Sequence, residues 1–315
     1  MKAVVTGATG FVGQKLIKTL DNSIVLTRNV DKARRIFGDA VEIVEWDMTG
    51  PAPASAFEGA DAVFHLAGES VAEGRWTAAK KARIMSSRED GTRRLIEGLA
   101  EVKDRPAVLV SASAVGWYGD RGDATLTESS EPAETWLAEV CKVWEREAGK
   151  ARELDMRVVS LRIGIVLGEG GGALGKMLFP FKMGLGGRLG DGKQYMPWVH
   201  VDDIVGLCHH AARHETLDES INATAPAPVT NREFTKTLGS VLGRPTIFPV
   251  PGFALSLALG EFSTVLLSSQ RVLPERTRES GYEFHHPELK GALESIIQGS
   301  PAAKNEAREA EAVSS

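Results

Sequence analysis

The stretch KAVVTGATGFVG, residues 2–13, constrains this chain more than any other. An apolar, β-branched run ends in Gly7, Gly10 and Gly13, and a segment with a repeated apolar face follows. Each glycine has a task. Gly7 permits the tight turn out of a strand, Gly10 lets a pyrophosphate approach the main chain, and Gly13 lets a helix pack closely on the strand. The N-terminus of that helix then favours phosphate charge. Thr9, Phe11 and Val12, between and beside these glycines, belong to the same candidate cofactor site. A glycine triplet by itself is weak evidence, but one placed between a strand and a helix has the required context.

The rest of the chain agrees with that opening. KAVVTG, SIVLTR, VEIVEW, DAVFHLAG, AVLVSAS and RVVSLRIGIVLG read as strands, and helical stretches such as GFVGQKLIKTL and KKARIMSSREDGTRRLIEGLAE lie between them. Near-continuous apolar strands separated by helices imply a parallel sheet covered on both faces. The expected fold is therefore α/β, a Rossmann-type doubly wound parallel sheet with a smaller C-terminal substrate region. The second strand ends in Thr27 and Arg28, where an NAD site would place an acidic residue for the ribose 2′-hydroxyl. A guanidinium there pairs with a 2′-phosphate, which favours NADP(H). Asp31 is the counterweight, since it could reach a ribose from the loop.

Past residue 168 the texture changes. Residues 168–192 hold ten of the 33 glycines and read as a mobile loop. The expected division is a dinucleotide-binding domain at 1–168, to which 196–215 returns, a substrate region at 169–195 and 216–298, and a disordered polar tail at 299–315. A net charge of −5 without a long basic run argues against nucleic acid and anionic membrane as partners. The apolar segment 253–267 is too short to span a bilayer and contains Glu261. Two cysteines, Cys141 and Cys208, form no disulfide framework. With no signal peptide in the opening residues, a cytoplasmic setting is expected.

These motifs together resemble the extended short-chain dehydrogenase/reductase superfamily: TGATGFVG, Asp47 after the third strand, HLAG at 65–68, the SAS strand at 111–113, Leu161–Arg162, and WVHVDDIV at 198–205. More narrowly the chain resembles the atypical "epimerase family protein" branch. That likeness rests on LAGES, Arg75–Trp76, SSRxxGT, VCKVWE, GGGA, PWVHVDD, NATAP and SSQRVLP, and it extends to about residue 297. The resemblance implies that Asp47 approaches the adenine edge and that Leu66 and Ala67 lie along the cofactor, with Gly68 leaving room. It implies that Arg88 reaches cofactor phosphates or substrate, and that Val166 passes beside the nicotinamide. It also implies a homodimer through the helices near 80–100 and 133–152; a monomer is the other reading.

The family's catalytic Tyr-x-x-x-Lys pair is missing. The three tyrosines, Tyr118, Tyr195 and Tyr282, are followed four residues later by Gly122, Val199 and His286. Anchoring on Glu145 puts Cys141 at the lysine position and Leu137 at the tyrosine position, on one face of an amphipathic helix. Ser113 with Tyr118 is the substitute catalytic pairing expected here. Glu69, Gln194, Tyr195, Trp198 and His200 are the substrate candidates. Cys208, His210 and His214 have a metal-like spacing on a helix, but no third ligand is obvious, so no metal is expected. Two functions remain: an NADP-dependent oxidoreductase or epimerase acting on a small carbonyl/alcohol or sugar-nucleotide-type substrate, or an NADP(H)-binding regulatory or scaffold protein without turnover.

Overall fold

The computed structural model describes residues 1–299; the tail expected beyond them lies outside the described residues. Seven strands form one parallel sheet: β1 (Lys2–Thr6), β2 (Asn22–Thr27), β3 (Glu42–Glu45), β4 (Ala62–His65), β5 (Val108–Ala114), β6 (Arg157–Ile163) and β7 (Ser220–Ala223). Their order is β7-β6-β5-β4-β1-β2-β3, and every adjacent pair runs parallel. The chain reverses direction across the sheet between β1 and β4. That is where a doubly wound sheet opens a crevice at the carboxyl ends of its strands.

The period-2 alternation of strand side chains decides which helix covers which face. Ala3, Val5, Phe64, Val110, Val159 and Leu161 point to one side. There they pack on α1 (Phe11–Ile17), α2 (Val30–Phe37) and Ile204, Leu207 and Cys208 from residues 201–213. Val4, Ile24, Leu26, Val63, Leu109 and Val158 point the other way, onto Leu95, Ile96 and Leu99 of α3 (Ala78–Ala100) and Ala148 of α4 (Trp136–Gly149). Each wholly buried leucine or valine of these layers stabilises the fold by about 2 kcal/mol.

Two expectations change here. Residues 168–192 are not one loop, because α5 (Gly172–Lys182) forms inside them. Its glycine-rich approach answers to tertiary packing: a Cβ at Gly168 would lie 2.7 Å from the Phe11 ring, and one at Gly172 3.0 Å from it. Residues 220–223, assigned to the substrate region by sequence, are instead the seventh strand of the central sheet. Four residues between loops carry too little periodicity to be told from substrate-region structure. The run RVVSLRIGIVLG also breaks at Gly164, after which Ile165–Gly168 leaves the sheet to pair with Trp198–His200. Beyond it a small second core gathers Leu174, Phe181, Trp198, Phe234, Leu238, Leu289 and Leu293 around α5. Residues 201–213 form α6 (Val201–Arg213), and residues 231–242 form α7 (Asn231–Leu242).

Close packing of α3 on the loop after β3 gives a stability test. A Cβ at Gly98 would collide with the Ala52 main chain, whereas one at Gly291, in the helix Leu289–Gln298, meets nothing within 4 Å. In chemical denaturation, Gly98→Ala should lose about 2 kcal/mol. Gly291→Ala should gain roughly 0.5–1 kcal/mol from helix propensity.

Candidate functional site

The crevice begins at the turn after β1. Gly7 has φ of +70°, a conformation that a side chain disfavours, and a Cβ there would lie 2.6 Å from the Leu66 carbonyl carbon. The Gly10 N–H donates to the Gly7 carbonyl at 3.0 Å, closing the turn. Gly10 is exposed and caps α1 with no side-chain hydrogen bond, and no acidic residue occupies the first turn. The first N–H groups of α1 therefore face the crevice unspent, as a phosphate requires. Val12 packs inward on the core and Phe11 lies under the 168–172 segment, so these two shape the cradle from behind. The Thr9 carbonyl accepts from Gln14 at 3.0 Å. Val166 pairs with Val199 close by, its carbonyl 2.6 Å from where a Gly172 Cβ would sit.

One end of the crevice is lined by the strand ends β2 and β3. The Thr27 hydroxyl accepts the Asn29 N–H at 3.2 Å, and Asn29 in turn caps α2 through the Lys32 N–H at 2.8 Å. Arg28 stands exposed between them and enters no ion pair among the described residues. Asp31 sits in the first turn of α2, where an acid is favoured by the helix dipole. Asp47 is exposed after β3, and its carboxylate accepts the Thr49 N–H at 2.8 Å and the Thr49 hydroxyl at 2.7 Å. Those hydrogen bonds, the backbone one first, hold its carboxyl below the usual carboxylate range.

The floor is a relay that sequence reading missed. The Ala67 N–H donates to the Thr6 hydroxyl at 3.3 Å, Thr6 meets His65 Nδ1 at 2.7 Å, and His65 Nε2 meets Thr92 of α3 at 3.0 Å. His65 is wholly buried, and burial followed by the nearby Arg88 charge lowers its pKa to about 4. It is a neutral strut. A lone histidine in an apolar strand, followed by a threonine on the helix behind, carries no sequence signal for that pairing.

At the other end, α3 supplies charge. Glu69 Oε1 accepts from Lys80 Nζ at 2.8 Å, with Arg83 Nε at 3.5 Å, and these partners, the Lys80 bond foremost, hold its carboxyl low. Arg88 lies beneath Gly68: a Cβ on Gly68 would be 3.3 Å from the guanidinium carbon. Arg88 Nη1 donates to the carbonyls of Glu69 and Ile84, both at 3.1 Å, and its plane covers the Trp144 ring at 4.6 Å. Across from it runs the wall of α4. A Cβ at Gly116 would be 3.5 Å from Leu137 and 3.6 Å from Cys141 Sγ. The helix expected to carry the catalytic pair thus packs apolar substitutes, Leu137 and Cys141, against the turn that follows β5. Burial, then the Glu145 charge, pushes the Cys141 thiol up to about 12, and it donates to the Ala114 carbonyl at 3.5 Å. Lys142 pairs with Glu139 on the outside at 3.6 Å.

The expected Ser113–Tyr118 catalytic pairing is corrected by the structure. Ser113 donates to Glu145 Oε1 at 2.7 Å, and the Tyr118 hydroxyl donates to Asn222 Oδ1 at 2.7 Å. Arg162 clamps Glu145 through Nε at 2.9 Å and Nη2 at 3.0 Å, reaches the Tyr118 oxygen at 3.1 Å, and covers the Trp117 ring at 3.8 Å. Burial opposes the Arg162 charge, but Glu145 outweighs it and holds the guanidinium above its ordinary value. Burial raises the Tyr118 phenol likewise. Both hydroxyls are consumed by a buried ion pair that joins β5, β6, β7 and α4, and neither is free to meet a substrate.

The substrate candidates divide. Trp198 is wholly buried and donates to the Ala227 carbonyl at 3.0 Å, and Gln194 is buried and donates to the carbonyls of Leu189 and Leu266. Both sit in the core, with their N–H donors taken by main-chain carbonyls. His200 is buried as well: its Nδ1 accepts the Asp202 N–H at 3.1 Å, capping α6. Burial, then His286, lowers it to about 4. Glu69 and Tyr195 alone stay partly open, Tyr195 under the Arg271 guanidinium at 5.2 Å. His210 bonds Ser280 at 2.8 Å. Among the described residues, the three side chains whose ligand-type atoms do converge, within 4.8 Å, are His200, Asp202 and His286, a grouping the sequence does not advertise. The centroids of their two imidazole rings lie 3.7 Å apart, with the ring planes tilted by 32°. Among the described residues no helix is long and apolar enough to cross a membrane.

A strand-glycine-helix cradle at the switch between β1 and β4 is the feature on which comparison with known proteins turns. The sequence model of the NAD dependent epimerase/dehydratase family matches residues 3–223, and a domain of unknown function, DUF1731, matches residues 250–296. This chain belongs to the NAD dependent epimerase/dehydratase family. It is 43% identical to the chloroplastic epimerase family protein SDR39U1 homolog of Arabidopsis thaliana, over 95% of this chain and 87% of the relative. It is 37% identical to the epimerase family protein YfhF of Bacillus subtilis, over 94% and 98% respectively. The human epimerase family protein SDR39U1, solved with NADPH, superposes with a TM-score of 0.85 at 31% identity, over 95% of this chain and all (100%) of that one. The family's fold is intact in this chain, and the face of α4 at Leu137 and Cys141 is apolar.

Two measurements test the site as built. Tyr118→Phe leaves the buried Asn222 acceptor and the Arg162 donor short of a partner, so urea denaturation should show a loss of about 2 kcal/mol. His65 has its folded pKa depressed from 6.5 to about 4, so its contribution to stability is complete above pH 6.5 and is lost as pH falls towards 4. Over that window only the unfolded chain takes up the proton, at most about 1.4 kcal/mol per pH unit for one group. His65→Gln should flatten the dependence of unfolding free energy on pH by up to that slope, with His200 supplying much of what remains.

Proposed function

We propose that this protein binds NADP(H) across the β1–β4 switch and acts as an oxidoreductase or epimerase on a carbonyl/alcohol or sugar-nucleotide-type substrate. The single observation that carries the cofactor reading is Arg28. An exposed guanidinium, in no ion pair among the described residues, closes β2 where a 2′-hydroxyl site would need an acid. The human relative solved with NADPH supports it. Arg28 and Asp47 would hold the adenosine end, Gly7 to Gly13 with the first turn of α1 would hold the pyrophosphate, and Leu66 to Gly68 would hold the far riboside. When bound, the nicotinamide supplies or accepts a hydride.

What this chain's own residues contribute is position and exclusion of water rather than a phenolic acid. Leu137 cannot titrate, and Cys141 stays a neutral thiol at physiological pH. That same apolar wall favours a second reading, an NADP(H)-binding regulatory or scaffold protein without turnover. Function lives in the site and not in the fold, so the readings are separated by kinetics.

Calorimetry of ligand-stripped protein should show NADPH binding more tightly than NADH. Arg28→Ala should erase about tenfold of that preference, equivalent to about 1.4 kcal/mol, and leave NADH affinity unchanged. Loss of NADPH absorbance over many turnovers with any member of a carbonyl panel selects the enzyme. Binding without such loss across the panel selects the second reading, and no heat with either dinucleotide overturns both.

A further inference from the structure

We propose that an apolar, cationic face of the C-terminal region docks on the surface of an anionic lipid membrane. The face lies outside the dinucleotide site, and the inference is independent of the NADP(H) reading.

Among the described residues nine large apolar side chains stand exposed, and seven of them fall in two stretches, 179–185 and 247–257. Scattered singly such residues are ordinary, but a continuous set marks a surface that something covers. The two stretches are neighbours in space. Phe179 and Met183 stand four apart at the end of α5 and so share a face. The chain then turns at Gly184, beside the Pro245 ring, and a Cβ at Gly187 would strike the Phe248 carbonyl oxygen. The Val250 N–H donates to the Arg188 carbonyl at 2.8 Å, and the Gly190 N–H donates to the Val250 carbonyl at 2.9 Å. Exposed Leu185 belongs to one side of this seam, exposed Ile247 and Phe248 to the other. Directly after the seam comes α8 (Gly252–Leu259), whose one polar side chain is Ser256. A helix apolar all round belongs in a protein core or in lipid. Here only Leu255 is buried, whereas Phe253 and Leu257, again four apart, are 76% and 78% exposed.

Charge says what covers this face. The net −5 of the whole chain argues against an anionic surface only if that charge is spread evenly, and it is not. Residues 172–190 and 236–260 contain Lys176, Lys182, Arg188, Lys236 and Arg244 and no aspartate or glutamate. All five cations are exposed, and none is in an ion pair among the described residues. A second copy seated on the same face by two-fold symmetry would set these cations against their own copies. Aromatic and aliphatic side chains that enter the acyl boundary, bordered by lysine and arginine at headgroup level, are the composition of a helix lying in a membrane interface. Eight residues are too few to span a bilayer, so α8 would lie in the plane of the surface. The face also borders the rim of the sheet. Arg75, in the loop after β4, donates to the Leu257 carbonyl, and Gln270 donates to the Val115 carbonyl in the turn after β5 at 2.9 Å. Docking would therefore hold the carboxyl ends of β4 and β5 towards the lipid.

Flotation of the full chain with two kinds of vesicle tests this: phosphatidylcholine alone, and phosphatidylcholine mixed with phosphatidylglycerol. Wild type should float with the mixed vesicles, bind the uncharged ones at least about tenfold more weakly, and come off as salt rises. Phe253→Ser combined with Leu257→Ser should weaken binding to mixed vesicles at least about tenfold, and Arg188→Glu combined with Arg244→Glu should do the same. Ile36→Ser, which removes an exposed apolar side chain from α2, should bind as wild type does. All these positions are exposed, so the unfolding midpoint of each variant should match that of wild type. No flotation of wild type overturns the proposal, as does equal flotation with both vesicle types. A loss in either double variant no greater than in Ile36→Ser overturns it too. So does dimerisation in light scattering that Phe253→Ser with Leu257→Ser abolishes, because a second copy then covers the face.

Discussion

Main-chain contact between the turn after β1 and the end of β4 is the constraint on which the rest of the structure depends. Gly7 touches the Leu66–Ala67 peptide so closely that no side chain fits. That contact fixes where α1 starts, which direction its free N–H groups face, and how wide the crevice opens. Thr6, His65 and Thr92 extend the same junction to α3 through buried hydrogen bonds. Since α3 carries Glu69's partners and Arg88, the charged end of the crevice is registered to the glycine turn by a rigid chain of contacts.

The buried Arg162–Glu145 pair plays the corresponding part behind α4. A bidentate pair with every lone pair engaged, by Ser113 and Ser220 as well, pins the helix against β5, β6 and β7. Buried pairs of this kind are weak evidence of net stability, but removal of one partner is severe. The Arg162–Glu145 pair holds the Leu137–Cys141 face of α4 against the turn after β5 while engaging Ser113 and, through Arg162, Tyr118. An apolar wall at a fixed position supplies no proton, so hydride chemistry beside it would have to exchange its proton with water, whereas simple retention of a dinucleotide needs none.

How much of this was legible beforehand depended on the range of the interaction. The glycine turn, the positions of Arg28 and Asp47 after their strands and the apolar face of α4 were legible, because each is set within one strand, one turn or one helix. Ser113 and Tyr118 were misread for want of their partners: Glu145, Asn222 and Arg162 lie 32, 104 and 44 residues away. Trp198 and Gln194 look exposed and polar-tipped in sequence, but main-chain acceptors from 227, 189 and 266 take their donors. The glycine-rich run at 168–172 reads as slack chain until the Phe11 ring is placed against it.

The sequence by itself determined the α/β class, the nucleotide turn, the basic residue at the end of β2 and the loss of the tyrosine–lysine pair. Those are local properties, carried by periodicity, by residues tolerant of positive φ, and by the four-residue spacing on one helix face. Only the tertiary structure decided that residues 220–223 close the sheet, that two expected catalytic hydroxyls are tied into a buried ion-pair network, and that Arg88 is sunk beneath Gly68, its Nε and Nη2 meeting no protein acceptor among the described residues. Burial and hydrogen-bond partnership are properties of space. A side chain's chemistry is set by what surrounds it, and most of those surroundings come from distant segments of the chain.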